Sequence, residues 1–297
     1  MTQALSQSRY SWGADEHLTV QFAEGMSLGA NLTAMAVARR VEEAGLDGVS
    51  DICPSNASLL VKFNPDIVAP AVVESTVRQA EAAVAATPHL SLPTRILEIP
   101  VWYDDPFTNE TASRFRDRHQ RPEGNDLEFA AIENGMNSTQ EFIDAHCGTP
   151  WITSMVGFVA GLPFLFQMTP PERQLELPKY LRPRTDTPKQ TIGHGGCFSC
   201  VYSVRGAGGY QMFGITPTPI FDPDQRLAHF ADFMILFRPG DIVKFRSIDE
   251  AEYYSIQAEV EAGTYQLRQR PVTFTLDDFT ADPDAFNNSL LGELYDN

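Results

Sequence analysis

Lysine is scarce in this chain. Lys62, Lys179, Lys189 and Lys244 are its only four, so the remaining cations are arginines, whose forked guanidinium suits bidentate carboxylate contacts better than an ammonium does. Cations number 22 against 39 Asp and Glu, a formal net charge of −17. A chain this acidic repels phosphate backbones, which argues against nucleic acid as a partner. Cysteine is also sparse: Cys53, Cys147, Cys197 and Cys200 are too few and too scattered for a secreted disulfide framework. No apolar run reaches the roughly 20 residues of a membrane helix, and the longest, Met155 to Phe166, reads as fold interior. Met1 to Gly13 has neither a basic lead nor an apolar core, so no signal peptide is read there. No lipidation box stands at Asp296-Asn297. A cytoplasmic protein with no membrane contact is expected. Also missing are a Walker loop, H-E-x-x-H, an EF-hand and a nicotinamide fingerprint. No lysine is flanked by methionine, so the chain is not itself a biotin carrier.

What is present is a globular composition, 43% apolar and 21% charged over 297 residues, enough for about two domains and a core without staples. His17 to Ala23 alternates at period two and reads as a strand. Leu28 to Ala44 has helical spacing, and Gly45 stands where a helix stops. Gly48 to Ile52 and Ala57 to Phe63 read as strands, Ile67 to Ala86 as a helix and Arg95 to Tyr103 as a strand. The order is βαββαβ, the ferredoxin-like pattern. Asp104 to Asn125 reads as a polar loop. Asp126 to Asn134 and Ser138 to His146 read as short helices, with Ser138 as an N-cap. From Trp151 onward short runs of Val, Ile, Phe and Tyr alternate with Pro and Gly, the signature of a β-barrel or sandwich. Phe198 to Val204, Met212 to Ile215, Phe233 to Phe237 and Ile242 to Phe245 are its clearest strands, with Pro239-Gly240-Asp241 turning between the last two. The acidic stretch after Asp277 is either a docked helix or loose.

Several motifs bear chemistry. Cys197-Phe198-Ser199-Cys200 is a C-x-x-C that continues into a strand rather than opening a helix, so it lacks the redox context. A zinc site would need a second element such as His146-Cys147, and ordinary buried cysteines are the favoured reading. His194-Gly195-Gly196 resembles the oxyanion loop of lipases, but no G-x-S-x-G elbow accompanies it. Arg205 to Tyr210 is a glycine-rich turn that could let a ligand approach the backbone. Arg182-Pro183-Arg184 places two guanidinium forks on a stiff segment, which could hold a carboxylate or bicarbonate, although a solvated surface pair is the favoured reading of such a motif by itself. Arg114, Arg116, Arg118, His119 and Arg121 form a basic cluster. It either docks an acidic partner or anionic ligand or is neutralised by Asp104, Asp105, Asp117 and Glu123, the favoured reading.

Seven stretches follow one another in a known order: Ile99-Pro100-Val101; Asn125-Asp126-Leu127; Gly157 to Phe164 (GFVAGLPF); Arg182-Pro183-Arg184-Thr185; Gly208-Gly209-Tyr210-Gln211; Gly214-Ile215-Thr216-Pro217; and Pro239 to Phe245 (PGDIVKF). Together they resemble the allophanate hydrolase subunit 1 family, which includes the B component of 5-oxoprolinase, a sporulation-kinase inhibitor and the carboxyltransferase domain of urea carboxylase. Lys179-Tyr180, Tyr210 and the Thr264 to Arg268 and Asp278-Phe279 stretches look most like the urea carboxylase branch. The chain departs from the family at Ala160 and Ala207, where Pro is common, and at Ile215, where Arg is common. The departure at 215 leaves the acceptor open.

The resemblance implies an α+β protein. A ferredoxin-like βαββαβ domain over 1–98 would precede a cyclophilin-like β-barrel domain over 99–297, ending in the acidic tail. It implies a biotin-dependent carboxyltransferase subunit, working with a second cyclophilin-like subunit of the allophanate hydrolase subunit 2 type and a biotin carboxylase/carrier protein. Carboxybiotin on that separate carrier would donate a carboxyl group to a urea-, guanidine- or amide-type nitrogen, with no permanently bound cofactor and no metal. Within the motifs, Arg184 and Arg182 are expected to hold the carboxylate. His194 or Tyr210 would handle a proton or hydrogen bond, and Gly195, Gly196, Gly208, Gly209 and Gln211 would shape the groove. The alternatives are a 5-oxoprolinase B component acting on a lactam with ATP, and a non-catalytic histidine-kinase inhibitor or binding protein.

Overall fold

The computed structural model describes residues 4–296, so Met1 and Asn297, at the ends considered for targeting signals, lie outside the described residues. The chain divides into two units, Met1–Thr94 with Val272–Phe286 and Arg95–Pro271 with Asn287–Asn297. The first opens with β1 (Ala4–Gly13), paired antiparallel with β2 (His17–Ala23). α1 (Leu28–Glu43) starts where Ser27 Oγ accepts from Ala30 N–H at 3.2 Å, an N-cap that satisfies an orphan donor. β3 (Val49–Ser55) and β4 (Ser58–Phe63) form a hairpin. α2 (Pro70–Ala85) begins three residues later than its apolar spacing suggests, because Pro70 fits the first turn, where no N–H is needed. The sheet order is β1-β2-β4-β3. Leu18, Val20, Val37, Leu59, Val61 and Val77 are fully buried between the sheet and the two helices.

One strand of the βαββαβ expectation is corrected. β5 (Ser91–Tyr103) does not join this sheet; β1 holds the position beside β2, and Ile96 to Trp102 pair elsewhere. Ile96, Leu97, Ile99 and Val101 are all buried, on both faces of the strand, as suits a strand enclosed on two sides. Periodicity identifies a strand but does not name its neighbour.

The second unit corrects the loop expected over Asp104 to Asn125. It contains α3 (Pro106–Arg114), whose N-cap Asp105 is buried and accepts from Phe107 and Thr108 N–H, both at 2.9 Å. A polar composition hid this helix. α4 (Asp126–Glu133) starts in an Asn125–Glu128 capping box, and α5 (Thr139–Gly148) takes the expected Ser138 cap. Then come β6 (Trp151–Val156), β7 (Pro163–Gln167), β8 (Arg184–Thr187), β9 (Thr191–Gly195), β10 (Phe198–Val201), β11 (Gly206–Gly208), β12 (Gln211–Ile215) and β13 (Ile242–Ile248). The order β12-β9-β10-β7-β6-β13-β5, with β5 pairing back to β12, closes seven strands on themselves. Only closure removes both sheet edges. Leu97, Trp151, Ile192, Phe213, Val243 and Phe245 belong to its core.

Phe233 to Phe237 forms no named strand; it makes one isolated bridge, Phe221 to Ile235, flanked by backbone hydrogen bonds from Asp222 to Met234 and from Leu236 to Ile220. The glycine-rich turn is corrected as well, since β11 pairs with β8 in a two-stranded ribbon. α6 (Glu250–Glu261), β14 (Gln269–Thr275) beside β5, α7 (Leu276–Ala281) and α8 (Pro283–Tyr295) follow. The acidic tail is a docked helix. Leu290 and Leu294 are buried, and Asn287 Nδ2 donates to the Met168 carbonyl at 2.7 Å.

Candidate functional site

β9 and β10 meet in a two-residue hairpin loop, Gly196-Cys197, with Gly195 opposite Phe198. Gly196 sits at φ +62° with open space beyond its Cα. Glycine at the first loop position is what a type II′ hairpin turn requires. Beside it, Tyr210 lays its ring over Gly195 and is itself only 8% exposed. The Lys179 ammonium stands 5.2 Å from the centre of that ring. Burial pushes the Tyr210 phenol well above its ordinary pKa, with the nearby Cys200, Tyr202 and Cys197 adding to the effect. It stays a phenol and can donate a hydrogen bond.

Arg184 opens β8 and is fully buried. Its Nη1 donates to the Tyr210 carbonyl at 2.7 Å and its Nη2 to Thr187 Oγ1 at 3.3 Å. The Tyr180 ring lies against the guanidinium, 4.4 Å from centroid to Cζ. The Tyr202 hydroxyl is within hydrogen-bonding reach of Arg184 and of the Tyr210 backbone. Gly208 makes room for that hydroxyl, since a Cβ there would meet it at 2.4 Å. Gly209 accepts from Tyr180 N–H at 2.8 Å. Among the described residues Arg184 has no carboxylate within ion-pair distance, and its Nε has no hydrogen-bond partner.

The expected arginine pair diverges. Arg182 is exposed and turns to Asp117, donating from Nη2 to its Oδ2 at 3.1 Å and its carbonyl at 3.0 Å. Gln211 is buried on β12. Its Nε2 donates to the Pro178 carbonyl at 2.8 Å, and its Oε1 faces His119 Nε2 at 2.8 Å. On its other side, His119 Nδ1 lies 2.8 Å from the Arg121 backbone nitrogen and 2.9 Å from the Arg121 carbonyl oxygen.

His194 lies inside the barrel unit, fully buried and edge-on to Trp151. Its Nε2 serves the Leu175 and Gly196 carbonyls at 3.0 and 3.1 Å, while Nδ1 has no partner. Burial lowers its pKa to about 4, so the ring is neutral at pH 7. Its role here is to hold the hairpin loop, and neither ring nitrogen reaches the surface. His146 is likewise committed, with Tyr103 Oη at 2.7 Å from Nδ1 and Ser199 Oγ at 3.0 Å from Nε2. The zinc reading that needed it has no free nitrogen to use. Cys200 is buried beneath Tyr202 and Tyr210, as an ordinary core cysteine would be.

Within the basic cluster Arg114 and Arg116 pair with acids, but not with Asp104, Asp105, Asp117 or Glu123, the partners expected. Arg114 and Arg205 share Asp186, at 3.0 and 2.6 Å, and together they hold its carboxyl down at about 2. Arg116 pairs with buried Asp126 at 2.7 Å, and Arg118 donates to the Pro183 carbonyl at 2.7 Å. Sequence reasoning overlooked Asp126, Tyr180 and Tyr202 as site residues. The first two stood in family motifs without an assigned role, and nothing marked Tyr202.

Residues 8–231 match the family described as carboxyltransferase domain, subdomain C and D. The chain belongs to that family. Among its relatives, the B component of 5-oxoprolinase from Bacillus subtilis is 29% identical over 255 residues, 82% of this chain and 95% of the relative. Urea amidolyase of Lachancea kluyveri is 23% identical over 278 residues, 89% of this chain but 15% of that much longer protein. The crystal structure of Kluyveromyces lactis urea carboxylase shares the fold, with a TM-score of 0.82 at 20% identity, covering 96% of this chain and 26% of that one. This is a carboxyltransferase-family subunit of mixed α+β architecture. Among the described residues no helix is long and apolar enough to cross a membrane.

Proposed function

We propose that this chain is the component of a biotin-dependent carboxyltransferase that receives a carboxyl group and presents it to a urea-, guanidine- or amide-type nitrogen. The observation that carries this reading is Arg184, a buried guanidinium with no acidic partner and an unpaired Nε. Burying an ion without its counter-ion is costly by several kcal/mol, and an anionic ligand is what would complete the site. The two units would correspond to a ferredoxin-like and a cyclophilin-like domain.

Carboxybiotin, delivered on a separate carrier protein, would supply the carboxyl group, and the unpaired Arg184 Nε fits a carboxylate oxygen. Arg184 would hold that oxygen and offset the charge of the carboxylate as donor and as product. Tyr210, held as a phenol, donates a hydrogen bond to the acceptor amide or urea oxygen. Gly195 and Gly208 make room for the Tyr210 ring and the Tyr202 hydroxyl, Gly196 and Gly209 keep side chains out of the approach, Gln211 ties β12 to the Pro178 carbonyl, and Arg182 stays outside the site with Asp117. His194 maintains the loop rather than moving a proton. Arg184 is covered in this conformation. A second cyclophilin-like subunit and the carrier are the proposed partners, in the cytoplasm.

A second reading, the B component of a 5-oxoprolinase with a lactam and ATP, is favoured by the match to 95% of the Bacillus subtilis relative. Affinity purification from the native host with mass spectrometry and a streptavidin blot separates the two. A co-purifying biotinylated protein, with turnover blocked by avidin and lost in Arg184→Ala, supports the carboxyltransferase. Lactam-dependent ATP hydrolysis insensitive to avidin supports 5-oxoprolinase. Full activity of Arg184→Ala in the reconstituted complex removes the role given to Arg184.

A further inference from the structure

The charge of Arg184 is balanced at one remove. Against the guanidinium lies the Tyr180 ring, whose hydroxyl contacts both oxygens of Asp126 at 2.8 and 2.7 Å. Asp126 is fully buried and also takes Arg116 Nη1 at 2.7 Å and Met212 N–H at 2.9 Å. Asp126 opens α4, and two further segments fix its place, through Arg116, which follows α3, and Met212 on β12. Burial and the Asp126 charge both push the Tyr180 phenol well above its ordinary pKa, so it stays the donor in this contact.

The arrangement differs from an ion pair in what it leaves open. A carboxylate placed directly on Arg184 would take two N–H groups in bidentate fashion and close the fork. A ring face attracts the cation through its quadrupole without using any N–H. A phenol whose proton points at a carboxylate has a more electron-rich ring, so the Asp126 charge reaches Arg184 through Tyr180. Nε is left unpaired, Nη2 makes one long contact to Thr187, and the Tyr202 hydroxyl is the other group within reach.

We infer that Asp126 and Tyr180 are positioning residues that hold Arg184 stacked and with its Nε unpaired for a carboxylate or bicarbonate. The inference rests on the reading of Arg184 as an anion-binding group given above. Neither residue touches the anion.

The test is a titration of the full chain with ¹³C-bicarbonate followed by NMR, for wild type, Arg184→Ala, Tyr180→Phe, Asp126→Asn and Asp126→Glu, with thermal melts alongside. Tyr180→Phe keeps the ring and the net charge and loses only the hydroxyl; binding is expected to weaken about tenfold, which is about 1.4 kcal/mol. Asp126→Asn is expected to weaken binding too, with partial rescue in Asp126→Glu. A bystander carboxylate gives the opposite sign, because removing a negative charge near an anion site tightens binding. Unchanged binding in Tyr180→Phe, or tighter binding in Asp126→Asn, overturns the inference while Arg184 stands. Binding in Arg184→Ala equal to wild type, or no saturable binding in wild type, overturns the reading beneath it. Should Asp126→Asn fail to fold, the Arg184 Nε–H resonance in Tyr180→Phe decides: a marked shift is expected, and an unmoved resonance overturns the inference.

Discussion

A Cβ on Gly195 would fall 2.4 Å from Cδ1 of Tyr210 and 2.7 Å from its Cε1. The absent side chain is therefore the space in which that ring lies. Replacing Gly195 by Ala must push the ring off the strand, which is overpacking and costs about 1–3 kcal/mol. Urea denaturation should show a lower midpoint at unchanged m-value. Gly208→Ala, whose Cβ would meet the Tyr202 hydroxyl at 2.4 Å, should behave the same way. A wild-type midpoint in both variants would show that the rings have room to move.

The barrel seam should be less forgiving. At Gly214, where β12 reaches β5, a Cβ would meet Val101 Cγ1 at 2.7 Å and the Trp102 carbonyl at 3.0 Å. One of these obstacles is backbone, which cannot rotate away. Gly214→Ala is expected to lose about 3 kcal/mol, at the upper end for overpacking. Hydrogen exchange should speed up at the Trp102 and Tyr103 amides, and unchanged protection there would contradict a seam held by this pair.

Stability should fall with acid. Burial takes His194 from an ordinary 6.5 to about 4 in the folded chain. Between those values the unfolded chain binds more protons than the native one. Stability therefore rises with pH across the window and is lost as pH falls from about 6.5 towards 4. The loss is on the order of 3 kcal/mol. His146, also lowered by burial, acts in the same direction. Thermal melts from pH 7.5 to 4.5 should show a falling Tm, with a shallower fall in His194→Gln. A flat Tm over that range would mean that neither ring is sealed as described.

Thiol chemistry offers a fourth check. Cys53 is exposed, Cys147 and Cys197 are half-buried and Cys200 is buried, and burial raises the pKa of all four. A thiol reagent at pH 8 should label Cys53 first and reach Cys200 only in denaturant, because both access and thiolate are required. Early labelling of Cys200 would contradict a barrel closed over it.

The legible parts of the fold were those written in local chemistry. The period-two run His17 to Ala23 became β2 residue for residue, and Ser138 caps α5 as its side chain allows. α3 escaped because its starting signal, Asp105-Pro106, lies in polar surroundings with no apolar stripe to mark it. Phe233 to Phe237 misled in the opposite sense, since aromatic and branched residues suit a strand but no partner strand is available there among the described residues. Arg184 was visible as an arginine beside a proline, and Tyr210 as an aromatic beside two glycines. Nothing local revealed that one carries an unpaired charge into the interior or that the other covers Gly195.

The sequence by itself determined the composition class, the helices and strands with a clear period such as α1 and β2 and, through seven ordered motifs, the family. Those features depend on residues within a few positions of one another or on their linear order. Tertiary structure alone decided that β5 leaves the first sheet to close the barrel, that Arg182 and Arg184 part company, and that His194 is sealed inside. It also decided that Asp126, 54 residues before Tyr180, backs the ring on which Arg184 rests. Such pairings join segments distant in the chain, and they are selected by which surfaces can be buried together without stranding a polar group. That is a property of the packed whole, which no local window contains.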